Sequence, residues 1–245
     1  MQRLISKVLR IFLSPEKIWE MKNRHNIPSI EWSIYNLKKL GFESKYVIDV
    51  GAYKGEWSKM FQYIFPKSHI LMIEAQNSQD NVLKQVSNDL KNTSYQIALL
   101  GAEKGKKVVF NLNSTVSSVL SEHTPNNFPN EIRFTETIDY ILNSKETVHL
   151  PDFLKLDVQG YELEILKGST TVLSTIQFIL CEVSLIDINK NCPLISEVFA
   201  FLEVKNFIPY DICSFIRRPY DRSLWQTDIL FIRKDHPLAQ VKSWN

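Results

Sequence analysis

The chain has 245 residues, 44% of them hydrophobic, which suffices for one α/β domain with a large core and is too little for two full domains plus linkers. With 29 Lys and Arg against 27 Asp and Glu the net charge is +2, so nothing global favours nucleic acid or an acidic membrane. Cys181, Cys192 and Cys213 form neither a zinc-ligand spacing nor an even disulfide framework, which makes a reducing cytoplasm the expected compartment.

In chain order, the first element is a short amphipathic helix, with Leu4, Ile5, Val8, Leu9, Phe12 and Leu13 at helical spacing and Arg3, Lys7 and Arg10 between them. It is read as packing on the domain or on a dimer partner, with attachment to a membrane surface as the alternative. The start lacks a signal-peptide cleavage site, and no apolar stretch reaches the roughly 20 residues of a membrane span. A second amphipathic segment, 30–40, ends at Gly41, so residues 1–42 are expected to be a helical extension of a domain covering 43–245.

Beyond it the pattern alternates: strand 46–50, helix 56–64, strand 69–74, helix 79–91, strand 94–100. Residues 106–112 alternate like a half-exposed strand, and 113–131, rich in Ser, Thr, Asn and Pro, read as an inserted loop. The alternation resumes with strand 153–157, helix 161–174, strand 178–183 and helix 194–205. Two final strands, 207–215 and 227–233, are joined by a basic, aromatic loop. Such a succession predicts a mostly parallel, doubly wound α/β sheet closed by an antiparallel pair at one edge.

The turn Asp49 to Gly55 lies where the first strand meets the first helix, the ligand-binding end of an open α/β sheet. Gly51 and Gly55 permit close backbone approach, and Glu74 at the end of the next strand is placed to accept both ribose hydroxyls of an adenosyl ligand. The GxGxxG dinucleotide fingerprint is absent, and Asp49 disfavours a pyrophosphate beside the turn. S-adenosylmethionine, cationic and free of phosphate, suits two acids better.

Residues 47–58 (VIDVGAYKGEWS), 73–76 (IEAQ), 154–168 (LKLDVQGYELEILKG) and 180–184 (LCEVS) resemble the FkbM-type methyltransferase family, over roughly residues 40–235. The chain departs from that family's usual pattern at Tyr53, where Asn commonly stands, and at Ala75, where Pro does. The resemblance implies a Rossmann-like class I methyltransferase sheet and S-adenosylmethionine-dependent methylation, usually of a hydroxyl oxygen on a sugar, polyketide or related natural product. By resemblance Asp49, Gly51 and Gly55 line the methionine and adenosyl moieties, with Glu74 on the ribose and Ala98 near the adenine. Ser117 and Ser118 match a serine pair that this family often has there, which the resemblance implies lies over the cofactor; the alternative is polar loop filler.

Asp157 and Glu182, at the ends of two later strands, face the same rim as Gly51 if the sheet is parallel. Asp157 is the first candidate for the base that takes the acceptor's proton, with Glu182 beside it. The alternatives are that Asp157 binds the cofactor ammonium while Glu182 caps a turn, or that both hold a divalent ion. Glu164 suits a helix N-terminus without a catalytic role, and Glu162 is open between the two. Arg217, Arg218, Tyr220, Arg222 and Trp225 are candidates for gripping a phosphorylated or acidic saccharide, Trp225 by stacking, with a solvated basic loop as the alternative. None of His25, His69, His123, His149 and His236 falls in a motif. A small-molecule or saccharide acceptor is expected, and no nucleic acid. The competing functions are a nicotinamide-dependent oxidoreductase and a non-catalytic adenosyl-binding module.

Overall fold

The computed structural model describes residues 13–113, 117–123, 128–145, 149–187 and 189–244. The amphipathic segment read over residues 4–13 therefore lies almost wholly outside the described residues. Two helices, α1 (Pro15–Arg24) and α2 (Ile30–Lys39), open the described chain. Ser29 caps α2 by accepting from the Trp32 N–H, and Gly41 ends it at φ +92°, where only glycine is at ease.

The main sheet runs β3 (Thr93–Ile97), β2 (His69–Glu74), β1 (Tyr46–Val50), β6 (Phe153–Leu156), β7 (Phe178–Ser184), β10 (Leu224–Arg233), β8 (Phe207–Ile212). The first five are parallel to one another, while β10 pairs antiparallel with both β7 and β8. Strands β1, β6 and β7 are buried at every position, as parallel strands covered on both faces must be.

Alternate residues on these strands feed two cores. One face buries Ile48, Val50, Leu154 and Ile179 under α5 (Ile138–Asn143), α6 (Glu162–Lys167), α7 (Thr170–Leu173) and α8 (Ile195–Val204). The other buries Val47, Phe153 and Phe178 with side chains of α1, α2, α3 (Glu56–Ile64), α4 (Asp80–Asp89) and α9 (Pro237–Gln240). Trp19, Ile34 and Leu37 belong to this second core, so α1 and α2 pack on the sheet.

Several boundaries differ from the sequence reading. The third strand stops at Ile97, and Leu100 instead bridges to Glu136. Within and just after the segment read as loop, β5 (Asn130–Phe134) pairs antiparallel with β4 (Lys107–Asn111). Its outward Ile132 and Phe134 are exposed, so it lacks the buried alternation that marks a strand in sequence. The helix read over 161–174 is broken at Gly168 and Ser169 into α6 and α7. A Cβ on Gly168 would stand 2.2 Å from the Gly101 carbonyl oxygen. At the end of the chain, β9 (Ile216–Arg217) folds back on the start of β10 and shortens the connecting loop to a hairpin.

Candidate active site

A cavity of about 460 Å³ opens at the carboxyl ends of β1, β2, β6 and β7, where the strand order places the first crossover on one side and the later strands on the other. Gly51, Glu74, Ala98, Ser117, Asp157 and Glu182 all line it. Asp49 and Gly55 do not.

Gly51 sits at φ +74°, and a Cβ there would stand 1.8 Å from the Asp157 carbonyl oxygen. The glycine is thus required by the convergence of the β1 and β6 ends, not only by the space a ligand needs. Gly55, at φ +72°, is close to Val86 and Met72, so it seats the turn against α4. Glu74 is buried and accepts from Tyr53 N (2.8 Å, Oε2) and Gln76 N (2.9 Å, Oε1). A carboxylate has about four acceptor positions, so the two bonds orient Glu74 and leave capacity for a diol. Tyr53 itself adopts φ +46°, a left-handed conformation that Asn tolerates better than Tyr.

Asp49 is fully buried and lies opposite Lys155 in the β1–β6 register. Its Oδ2 accepts from Ser58 Oγ at 2.7 Å, and its Oδ1 meets Lys155 Nζ at 3.0 Å as an ion pair outside hydrogen-bond geometry. Lys155 Nζ also donates to the Val50 and Gly51 carbonyls and lies 3.7 Å from Asp157 Oδ2. Burial works against the lysine's charge, but Asp49 and Asp157 outweigh it and hold its pKa above the ordinary value. One buried ammonium therefore ties together the first turn, the strand beneath it and the rim carboxylate.

Asp157 is the open member of the group, its side chain 42% exposed. The Gln159 amide bridges the two rim acids, donating to Asp157 Oδ1 and to Glu182 Oε2, each at 3.2 Å. Gln226 donates to the same Glu182 oxygen at 3.0 Å. Gln159 reaches this position from a left-handed backbone, φ +59°. Glu182 is pushed well above the usual carboxylate range by burial and then by the charges of Asp157, Glu162 and Asp228, which favours its protonated form.

Glu162 is not at the rim: its Oε1 accepts from the Val158 and Gly160 amides, holding the β6–α6 turn. Burial raises its pKa to about 7 against backbone hydrogen bonds that oppose the shift. Because the folded pKa is raised, the unfolded chain ionises this group first, and stability falls as pH climbs from about 4.5 to about 7. Glu162→Gln keeps an acceptor for both amides and removes the ionisation. In parallel denaturant titrations it is expected to match the parent at pH 4.5 and exceed it at pH 8 by about 3 kcal/mol. Equal stability of the two proteins at both pH values would contradict the buried-acid reading.

The basic loop is bonded largely within itself. Arg218 forms a two-bond pair with Asp221, Arg217 donates to the Arg222 carbonyl, and Tyr220 is 90% exposed. These groups close the hairpin on itself, and none of Arg217, Arg218, Tyr220 and Arg222 lines the cavity, whereas Ile216 and Trp225 do. Ser118 lies beside Ser117 in the lining and donates to the Gln159 carbonyl. Glu164 pairs with Lys167 one turn along α6. Among the described residues no histidine lines the cavity, and no group of three or more His, Cys, Asp or Glu is arranged to hold a metal ion. No helix among them is long and apolar enough to cross a membrane.

Lys155, Gln159 and Gln226 escaped the sequence reading. Lys155 had a signal, a charge inside the apolar run FLKL, which demands a buried acid as partner. Gln226 had none, because its role depends on the β10–β7 register.

Glu74 is expected to anchor the ribose. Glu74→Ala should weaken S-adenosylmethionine binding by about 1.5–3 kcal/mol, the worth of hydrogen bonds to a charged group, as read by calorimetry. Unchanged affinity in a folded variant would remove Glu74 from the ribose.

The family model for the methyltransferase FkbM domain matches residues 49–209. No curated relative matches the chain. Among solved structures it is similar to magnesium protoporphyrin IX methyltransferase from Synechocystis PCC 6803 with bound S-adenosylmethionine, at 10% identity over 94% of this chain and 90% of that one, TM-score 0.49. It is also similar to precorrin-6y C5,15-methyltransferase from Geobacter metallireducens, at 11% identity over 83% and 88%, TM-score 0.47. A third is fibrillarin from Aeropyrum pernix with natively bound S-adenosylmethionine, at 14% identity over 80% and 73%, TM-score 0.47.

Proposed function

The chain belongs to the FkbM methyltransferase family and uses S-adenosylmethionine, and we propose that it methylates a hydroxyl oxygen of a saccharide or related polyhydroxylated natural product. The observation that carries this reading is the exposed carboxylate of Asp157, held between the Lys155 ammonium and the Gln159 amide at the mouth of the cavity. A hydroxyl is a weak nucleophile until its proton begins to leave, and a positioned carboxylate can receive that proton.

The cavity residues suit this donor. Glu74 has acceptor capacity left for two ribose hydroxyls, Ala98, Leu99 and Phe110 offer an apolar wall for a purine, and no phosphate-binding glycine loop competes. When bound, S-adenosylmethionine supplies an electrophilic methyl group on a sulfonium. Gly51 and Ser117 hold the neighbouring backbone and polar contacts, and Asp157 takes the acceptor proton onto a carboxylate oxygen. Glu182, favoured in its protonated form, serves as a neutral hydrogen-bonding partner at the rim. Asp49 acts from beneath through Lys155, and Gly55 through the packing of the turn.

Incubation with labelled S-adenosylmethionine and a panel of nucleotide sugars, oligosaccharides and polyketides tests the acceptor class. The expected outcome is label in a saccharide. Label only in a polyketide, or in no hydroxylated compound, would overturn the reading.

A further inference from the structure

We propose that a second, smaller cavity beside the donor site is the acceptor subsite and seats a single polyhydroxylated ring of pyranose size against Trp225. This rests on the reading of the rim as a hydroxyl-methylating centre. The second cavity measures about 210 Å³, below the range of about 300–1,000 Å³ typical of clefts for drug-sized ligands, so it suits one ring better than a polycyclic body.

Its position is set by a shared wall. Gln159, Trp225 and Gln226 line both cavities. Two of these three, Gln159 and Gln226, donate to Glu182, and Gln159 also donates to Asp157. A ring seated in the second cavity therefore meets the same Gln159 whose amide donates to the proton-accepting Asp157, and a hydroxyl projecting past it arrives at the rim.

Its lining fits the chemistry of a sugar. Five of the seven side chains are polar: Glu122, Gln159, Ser184, Asn189 and Gln226. Glu122 uses one oxygen to accept from Asn113 Nδ2 and keeps acceptor positions for ring hydroxyls. Trp225 adds an aromatic face for the C–H side of a ring. Its indole N–H is buried with no hydrogen-bond partner among the described residues. A small shift of the ring toward a ligand oxygen would satisfy this otherwise costly donor.

The test uses enzyme saturated with S-adenosylhomocysteine and, as probes, the methyl α-glycosides of glucose, galactose, mannose and fucose, followed by saturation-transfer NMR. Turnover of any saccharide found in the acceptor panel is measured alongside. Ser184→Leu fills the cavity from its buried side, and Glu122→Leu removes the carboxylate that accepts from ring hydroxyls, at a half-exposed position that leaves folding less at risk. Both are expected to abolish the glycoside signal and lower kcat/KM at least tenfold through KM, with S-adenosylhomocysteine affinity within twofold of the parent. If Ser184→Leu does not fold, Glu122→Leu decides alone. Variants that methylate a saccharide with kcat/KM within twofold of the parent would overturn the subsite while leaving saccharide methylation standing. A parent that gives no glycoside signal and methylates only a non-carbohydrate would overturn both. Should the parent methylate no compound in the panel, hydroxyl methylation is overturned and the acceptor subsite falls with it.

Discussion

Asp157→Asn is expected to slow methyl transfer by about 10²–10⁴, the usual contribution of a positioned general base, while S-adenosylmethionine affinity stays within a few-fold of the parent. The amide matches the carboxylate in size and can still accept from Gln159, so the geometry at Oδ1 survives. What is lost is the ability to hold the acceptor's proton. Its neighbour does not replace it, because burial, the largest cause, and the remaining acids Glu162 and Asp228 still hold Glu182 toward its protonated form in the variant. Single-turnover rates and calorimetric affinities on one preparation separate the cases. Affinity that collapses in step with rate would make Asp157 a ligand of the cofactor ammonium. Unchanged rate would leave catalysis to positioning alone. Adding a chelator to the parent in the same assay tests metal dependence, and loss of turnover restored by Mg²⁺ would demand a bound ion.

Lys155→Met is expected to destabilise the fold by about 3–5 kcal/mol, the cost of leaving a buried charge without its partner. Asp49 is wholly inaccessible and keeps only the Ser58 hydroxyl once the ammonium is gone. The Val50 and Gly51 carbonyls lose a donor at the same time, so the turn that lines the donor cavity loosens. For a chain of this length the loss corresponds to a fall in Tm of roughly 6–20 °C. Adding Asp49→Asn to Lys155→Met removes the stranded charge and should recover part of the stability, a coupling that a double-mutant cycle measures. A single variant within 1 kcal/mol of the parent would show that the ion pair does not hold the turn.

The parts of this architecture visible in sequence are those set by local pattern. The runs 46–50, 69–74 and 178–183 are apolar because both faces of a parallel sheet are covered, and each ends on or near an acid or glycine that the topology carries to one rim. Gly51, Glu74, Asp157 and Glu182 could therefore be picked out before any contact was known. The hairpin of β4 and β5 could not, since Ile132 and Phe134 face outward and the strand has no buried alternation to announce it. Among the loop arginines, Arg218 shows why charge in sequence does not by itself locate a ligand. A cluster of charge in sequence looks like a grip for an anion, yet Asp221 stands three residues from Arg218 and neutralises it within the turn. Lys155, Gln159 and Gln226 act through partners more than 20 residues away or through a left-handed backbone, and neither is written in local spacing.

The most direct test of the account is to locate the transferred methyl. The enzyme is supplied with S-adenosylmethionine carrying a trideuterated methyl group and the saccharide acceptor from the panel, and the product is examined by mass spectrometry and NMR. A single deuterated methyl on a saccharide oxygen, formed by the parent and at least a hundredfold more slowly by Asp157→Asn, is the predicted result. A methyl on nitrogen or carbon, or on oxygen at a rate indifferent to Asp157, would contradict it.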